Sequence, residues 1–357
     1  MGAGMSVIRI GIVGAGQIAR TRHLPGFHAL PGVKVVGVCN LHRESTSRIS
    51  REFDIPKVFG SWEDLVEDDE IDAIVIGAWP YLHCPVTLAA FDAGKHVLTQ
   101  ARMAMNAREA QRMYDRSKEL TKLTAMIVPS PYGLTGDGFM RSLIGSGYLG
   151  TLREVHVHGL NGDYADPKTP LSWRQVVKYS GFNMLTLGIL YETVTRWISP
   201  ATRVLAYATR HINRRFDPET GHTGKVGTPD SVHVLSTQED GSIGAYRLSG
   251  VVRHDKSMGV ALYGSEGTLI YDLLRDEIRG ARATDANLEV LPIPEKLRSG
   301  WQVEADFIAS IRGERPVVHT TFGSGVRYMQ FTEAVARSSR HQQPVSLPLK
   351  EFSNPSL

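Results

Sequence analysis

Short, nearly all-apolar runs recur through the first part of the chain: Val7–Val13, Val33–Cys39, Ala73–Ile76, His96–Thr99 and Leu123–Val128. None has a helical period, and several are rich in β-branched residues. Such runs are expected of strands buried on both faces of a parallel sheet. Helical patterns separate them. Ser61 is placed to cap a helix that begins at Trp62 and carries Glu63 and Asp64 in its first turn; Asn106 is placed to cap a longer helix reaching Glu119. Strand and helix in alternation predict βαβ units and a doubly wound sheet.

The pattern changes after Pro129. Asp137–Gly145 reads as one more helix, broken by Gly147 and Gly150. Arg153–His158 then opens a series of alternating strands, continued at Ser231–Ser236, Gly244–Leu248, Gly259–Tyr263 and Thr268–Tyr271. Gly264-Ser265-Glu266-Gly267 joins the last two as a tight turn. His211–Asp230, rich in Gly, Pro, His and charge, reads as a long surface loop. The expectation is therefore an α/β chain of two domains. Residues 1–128 form a doubly wound parallel sheet. Residues 129–357 form an α+β domain with an open, mainly antiparallel sheet and a C-terminal helix able to pack back on the first domain.

Bulk properties narrow the function classes. The 357 residues suffice for two cores. A formal net charge of +3, from 40 basic and 37 acidic residues, is too small and too dispersed to indicate nucleic acid or an anionic membrane. Two cysteines, Cys39 and Cys84, point to a reducing, cytoplasmic setting and no disulfide framework. No apolar run is long enough to span a bilayer. Met1-Gly2-Ala3-Gly4-Met5-Ser6 matches an N-myristoylation pattern, but it reads more simply as a glycine-rich lead-in to the first strand.

Chemistry enters at Gly14-Ala15-Gly16-Gln17-Ile18-Ala19, directly after the first strand and opening a helix. This is a dinucleotide fingerprint. Gly14 permits the turn, Gly16 lets backbone approach a pyrophosphate, and Ala19 keeps helix and strand close. The helix start at Gln17 and Ile18 offers N–H groups and a favourable dipole to phosphate. The second strand ends at Asn40, where an acidic residue usually holds the ribose of NAD. Asn40 does not repel a 2′-phosphate and Arg43 can pair with one, so the expected cofactor is NAD(P), leaning towards NADP.

These residues, with Trp79-Pro80-Tyr81-Leu82-His83, Ala93-Gly94-Lys95-His96-Val97-Leu98, Trp173-Arg174, Gly264-Ser265-Glu266-Gly267 and Ile311-Arg312-Gly313, resemble the Gfo/Idh/MocA oxidoreductases along nearly the whole chain. The resemblance implies a Rossmann domain that binds NAD(P), a second domain whose sheet covers the nicotinamide and builds a homo-oligomer, and a sugar, polyol or similar hydroxy/oxo substrate. It also places Trp79, Pro80 and His83 in the cofactor loop and gives Gln100 a ribose contact. The catalytic positions depart from the family. Its Glu-Lys-Pro aligns with Gln100-Ala101-Arg102, so Ala101 stands where the lysine should be. Its Asp-x-Gly-x-His aligns with Thr186-Leu187-Gly188-Ile189-Leu190, so Thr186 and Leu190 replace the aspartate and the histidine.

Alcohol oxidation must move the hydroxyl proton, and a positioned base is normally worth about 10²–10⁴ in rate. Candidate substitutes are His156 and His158, which alternate on one strand and share a face, and Lys178 and Tyr179, just before the altered helix. Arg102, Asn183 and Thr186 are candidate substrate contacts, Arg102 as a holder of a carboxylate or oxygen rather than a base. No carboxylate is fixed by spacing beside the two histidines, so no metal is expected. Three readings stay open: an NAD(P)-dependent oxidoreductase with a rearranged proton relay in the cleft between domains, a lyase or hydrolase using bound NAD(P) for transient oxidation, and a non-catalytic cofactor- or ligand-binding protein.

Overall fold

The structure, a computed structural model, describes residues 7–355, so the Met1–Ser6 lead-in and its acylation pattern lie outside the described residues. Six short strands, β1 (Ile8–Val13), β2 (Val33–Cys39), β3 (Lys57–Val58), β4 (Ala73–Ile76), β5 (His96–Thr99) and β6 (Ala125–Ile127), form an all-parallel sheet in the order β3-β2-β1-β4-β5-β6. Their side chains are buried on both faces, with Ile10, Ile12, Val75 and Leu98 fully enclosed. Sequential reversal of strand order between β1 and β4 is the doubly wound arrangement.

The connecting helices are α1 (Leu24–His28), which continues a wide π-type turn at Ala19–His23, α2 (Arg43–Glu52), α3 (Trp62–Glu67), α4 (Pro80–Asp92) and α5 (Ala107–Glu119). The two predicted caps form. Ser61 Oγ accepts from Asp64 N at 3.1 Å, and Asn106 Oδ1 accepts from Glu109 N at 2.9 Å. Lys95 is buried and donates to the carbonyls of Asp68 and Ile71, both at 2.7 Å, stitching the loop before β4 to the start of β5.

Beyond Pro129 come α6 (Asp137–Gly145), β7 (Leu152–Leu160), α7 (Val177–Ser180), α8 (Leu187–Val194), β8 (Ala201–Thr209), β9 (Arg214–Asp217), β10 (His222–Lys225), β11 (Ser231–Gln238), β12 (Ile243–Ser249), β13 (Ser257–Gly264), β14 (Gly267–Asp272), β15 (Glu277–Arg282), β16 (Glu289–Val290), α9 (Val303–Ile311), α10 (Phe322–His341) and β17 (Val345–Ser346). Nine of these strands make one sheet, ordered β16-β15-β14-β13-β7-β12-β11-β8-β17. Only β7 and β12 pair in parallel; every other pair is antiparallel. One face carries Val155, Val157, Val204, Val234 and Tyr246 inward. Tyr191 of α8 stacks on Phe331 of α10 at 3.7 Å between ring centroids, and Tyr246 tilts against Phe331 at 5.4 Å. The alternation read from sequence is thus a sheet with one covered and one open face.

Two compact units result. One is built from the chain up to Pro129 together with Gln302–Val326 and Pro355; the other comprises Ser130–Trp301 and Arg327–Asn354. A single cut at 128/129 therefore misses the return of residues 302–326 to the first unit. That return has visible causes. Thr320 exchanges backbone hydrogen bonds with Ile127 at the edge strand β6, and the Arg312 guanidinium donates to Pro31 O at 2.6 Å. Covering an open sheet edge satisfies its unpaired N–H and C=O groups.

The segment read as an irregular surface loop, 211–230, contains a hairpin instead. β9 and β10 pair antiparallel around Asp217–His222. Its alternation is inverted: Arg215 is enclosed and Phe216 is exposed. The Arg215 guanidinium donates to the carbonyls of Tyr164, Asp166 and Thr169, so a charged residue occupies the inward position and hides the strand pattern. Among the described residues no helix is long and apolar enough to cross a membrane.

Burial also makes the fold acid-sensitive. His96 Nδ1 accepts the Thr124 N–H at 2.8 Å, which requires that nitrogen to be unprotonated, and desolvation holds the ring below its ordinary value of 6.5. His83, wholly enclosed, is lowered for the same reason. A depressed folded value means the unfolded chain binds protons first as pH falls. The stability is present above about 6.5 and is lost on acidification below it, by at most about 1.4 kcal/mol per pH unit for each ring and less for half-buried His96. Urea unfolding at pH 7.5 and 5.5 should show this loss. His96→Asn keeps an acceptor near the Nδ1 position and should flatten the slope without large cost at pH 7.5; an unchanged slope would contradict the assignment.

Candidate functional site

The glycine loop leaves β1 at a crossing of two backbones. Gly14 has φ +85°, in the left-handed region, and a Cβ there would lie 2.3 Å from Ala78 N and 2.6 Å from Ala78 Cα. The adjacent strand contributes a matching glycine, since a Cβ on Gly77 would lie 2.4 Å from Gly14 O. Gly16 is different: a Cβ there meets nothing within 4 Å. It faces open space at the start of a helix, where Gln17 and Ile18 are exposed and Ala19 is buried. A pyrophosphate needs such a cradle, with close-approaching backbone and a helix N-terminus. The loop fits a dinucleotide on these grounds.

Other predicted cofactor residues gather at the same ends of the same strands. Asn40 follows β2, and its Oδ1 accepts the Ala15 N–H at 2.6 Å, so it braces the loop from within. Asn40 N in turn donates to Thr46 Oγ1 at 3.0 Å. Arg43 is exposed as the first residue of α2. Trp79 is the N-cap of α4 and Pro80 its first residue, a position that suits proline because its missing N–H is not required there. Gln100 follows β5, its N–H bonded to Ile76 O at 3.0 Å.

His83 has another role than the direct cofactor contact expected of it. Its ring is buried, with Nδ1 2.9 Å from Arg102 O and Nε2 2.9 Å from Ala78 O. The ring lies between the loop after β4 and the loop after β5; without an added proton it has one N–H, which donates to one of the two carbonyls. Burial pushes the imidazole down, while the carbonyls of Ala78 and Arg102 oppose that shift. Arg102 is itself buried, only 6% exposed.

In the second unit, the segment Thr186–Leu190 is packed rather than open. Thr186 is the N-cap of α8 and Leu190 lies one turn on. A Cβ on Gly159 of β7 would fall 2.9 Å from Thr186 Oγ1 and 3.1 Å from Leu190 Cδ1, so both side chains rest on that glycine. Asn183 is enclosed and donates from Nδ2 to Ser180 O at 2.7 Å, tying the end of α7 to the segment before α8. That brace is its role in the fold. Lys178 is exposed on α7, with Nζ 5.7 Å from the centre of the half-buried Tyr179 ring.

The two histidines are not brought to this motif. Val155, Val157 and Gly159 face α8, so His156 and His158, at alternate positions of β7, point from the opposite face. His156 Nε2 lies 2.9 Å from Glu154 Oε2, and its ring meets Tyr263 edge-on at 5.1 Å. His158 is half-buried and lowered by desolvation. Among the described residues no group of three or more His, Cys, Asp or Glu is placed to hold a metal ion.

Sequence reasoning missed His23 and Glu304. Both are buried, with His23 Nδ1 2.5 Å from Glu304 Oε1 and His23 Nε2 2.6 Å from Gln100 Nε2. Partners 281 positions apart leave no periodic trace.

Residues 8–127 match the family description "Oxidoreductase family, NAD-binding Rossmann fold", and residues 139–270 match the GFO/IDH/MocA C-terminal domain. The chain belongs to the Gfo/Idh/MocA oxidoreductase family. Levoglucosan dehydrogenase of Pseudarthrobacter phenanthrenivorans is 23% identical over 311 residues, 79% of this chain and 78% of that protein. Myo-inositol 2-dehydrogenase of Thermotoga maritima is 22% identical over 270 residues, 75% of this chain and 76% of that protein. A solved structure of levoglucosan dehydrogenase in complex with NADH and L-sorbose superposes with a TM-score of 0.85 at 21% identity, covering 96% of this chain and 99% of that one. The shared architecture is thus a Rossmann unit followed by a mixed, mainly antiparallel sheet.

The two glycines of the loop make separable predictions. Gly16→Asp should project a carboxylate into the phosphate cradle and weaken NADH binding at least about 100-fold by calorimetry, with the melting temperature held, because the space is open. Gly14→Ala should instead lower stability by about 1–3 kcal/mol, from positive φ and the clash with Ala78. Unchanged affinity in the first variant, or unchanged stability in the second, would refute the respective role.

Proposed function

We propose that this protein is an NAD(P)-dependent oxidoreductase acting on a small hydroxylated or oxo compound of the sugar or polyol kind, with an acid–base group other than the family lysine. The observation that carries the reading is the open cradle at Gly16 beside the backbone crossing of Gly14 and Ala78, in a chain of this family. A bound nicotinamide would supply the hydride acceptor or donor. The chain must then bind the sugar and hold the hydroxyl proton. Ala101, Thr186 and Leu190 cannot take that proton near neutral pH. Lys178 and Tyr179 adjoin the segment carrying Asn183 and Thr186 and are assigned the acid–base role; His156 and His158 face the other way. NADP is favoured over NAD because Asn40 is neutral and Arg43 is exposed at the first turn of α2.

Purified protein supplied with NAD⁺ or NADP⁺ and a panel of sugars and polyols should form reduced nucleotide steadily, with NADPH bound more tightly than NADH and that preference lost in Arg43→Glu. Lys178→Ala or Tyr179→Phe should lower kcat about 10²–10⁴-fold. Turnover without net redox change, on copurified nucleotide, would instead assign the protein to transient-oxidation chemistry. Binding without any turnover would make it a non-catalytic binder.

The open face of the second sheet supports a homo-oligomer. Leu205, Leu235 and Ala245 stand side by side across β8, β11 and β12, next to His156 of β7. Leu235 is 56% exposed and nearby Ile243 57% exposed, and such an apolar face favours association with a second copy. Light scattering should give a multiple of the 39.3 kDa chain mass, and Leu235→Arg should reduce it to a single chain. A wild-type monomer at micromolar concentration would end this part of the proposal.

A further inference from the structure

Buried Glu304 and His23 and the half-buried Gln100 form a polar row that the assigned chemistry leaves unexplained. The Glu304 carboxylate is acceptor only, so His23 Nδ1 carries the proton of the 2.5 Å bond. On the other side of the ring, the Gln100 amide nitrogen lies 2.6 Å from Nε2 and donates to it. One end of the Gln100 amide is thereby committed, which selects one of its two flip orientations and leaves its oxygen to accept elsewhere.

The seat of Glu304 is built for that residue. A Cβ on Gly26 would lie 2.8 Å from its Cγ, Cδ and Oε2, so any larger residue in α1 would displace the carboxylate. Buried charged and polar pairs of this kind contribute little to stability over an apolar core of similar volume. A role in orienting Gln100 accounts for their presence. Gln100 follows β5, at the strand ends that also carry the glycine loop, where ligands of open α/β sheets bind.

We propose that His23 and Glu304 are positioning residues that fix the Gln100 side chain so that its amide oxygen receives a ribose hydroxyl of the nicotinamide dinucleotide. This rests on the cofactor reading above. His23 acts through Gln100, and Glu304 through His23.

The test is a double-mutant cycle on cofactor affinity, using the full chain and calorimetric titration with NADH and NADPH. Gln100→Ala and His23→Leu should each weaken binding about 10-fold, as expected for loss of a hydrogen bond to the ligand or of its orientation. The double variant should be no weaker than Gln100→Ala alone. Glu304→Gln, which keeps an acceptor for Nδ1–H, should stay within about 3-fold of wild type, whereas Glu304→Leu should match His23→Leu. If His23→Leu does not fold, the same cycle is run with Glu304→Leu. Additive losses, near 100-fold in the double variant, or wild-type affinity in His23→Leu would overturn the proposal and leave the row a scaffold. Failure of wild-type protein to bind either nucleotide removes the cofactor reading itself, and the positioning role with it.

Discussion

The approach of two backbones at Gly14 and Gly77–Ala78 is the constraint on which the first unit's site depends. With β1 and β4 neighbours in the sheet, their outgoing chains must separate within one residue. No side chain fits at either glycine, and Gly14 must also take a left-handed conformation. Once the chains part there, one turns into the helix that opens at Gln17 and the other into α4 at Pro80. Asn40 and His83 then brace the parted loops by hydrogen bonds to backbone. The site is therefore a product of backbone geometry first and side-chain chemistry second.

Side chains can therefore vary on a framework that backbone geometry fixes. Thr186 and Leu190 rest against Gly159, and Leu190 is fully buried. A histidine or aspartate in that setting would need a polar partner to offset desolvation. Leucine needs none and fills the space against Gly159. Ala101 likewise asks nothing of its surroundings.

Legibility followed the range of the interactions. The parallel strands were readable because burial on both faces leaves unbroken apolar runs, and the caps at Ser61 and Asn106 because their bonds span three residues. The turn at Gly264–Gly267 was readable from its glycines. The hairpin at 214–225 was not, because Arg215 fills the inward position with a guanidinium satisfied by carbonyls some 46 to 51 residues away. Sequence assigns His83 to the loop after β4, and only the fold shows that both ring nitrogens face carbonyls. His156 and His158 were correctly placed on one face, but a period of two cannot say which face meets α8; Gly159 decides that.

The return of residues 302–326 to the first unit gives the longest of these interactions a structural logic. The segment closes the edge of β6 through Thr320 and inserts Glu304 behind the glycine-loop helix. A carboxylate in that interior demands a donor, and His23 supplies it from the turn that follows the fingerprint. The imidazole then demands a donor of its own on the far nitrogen, and Gln100 supplies that from the end of β5. Each buried polar group thus specifies the next. A glutamate carboxylate at position 100 would bring no N–H to that nitrogen. Glutamine is the residue that completes the row without an added proton.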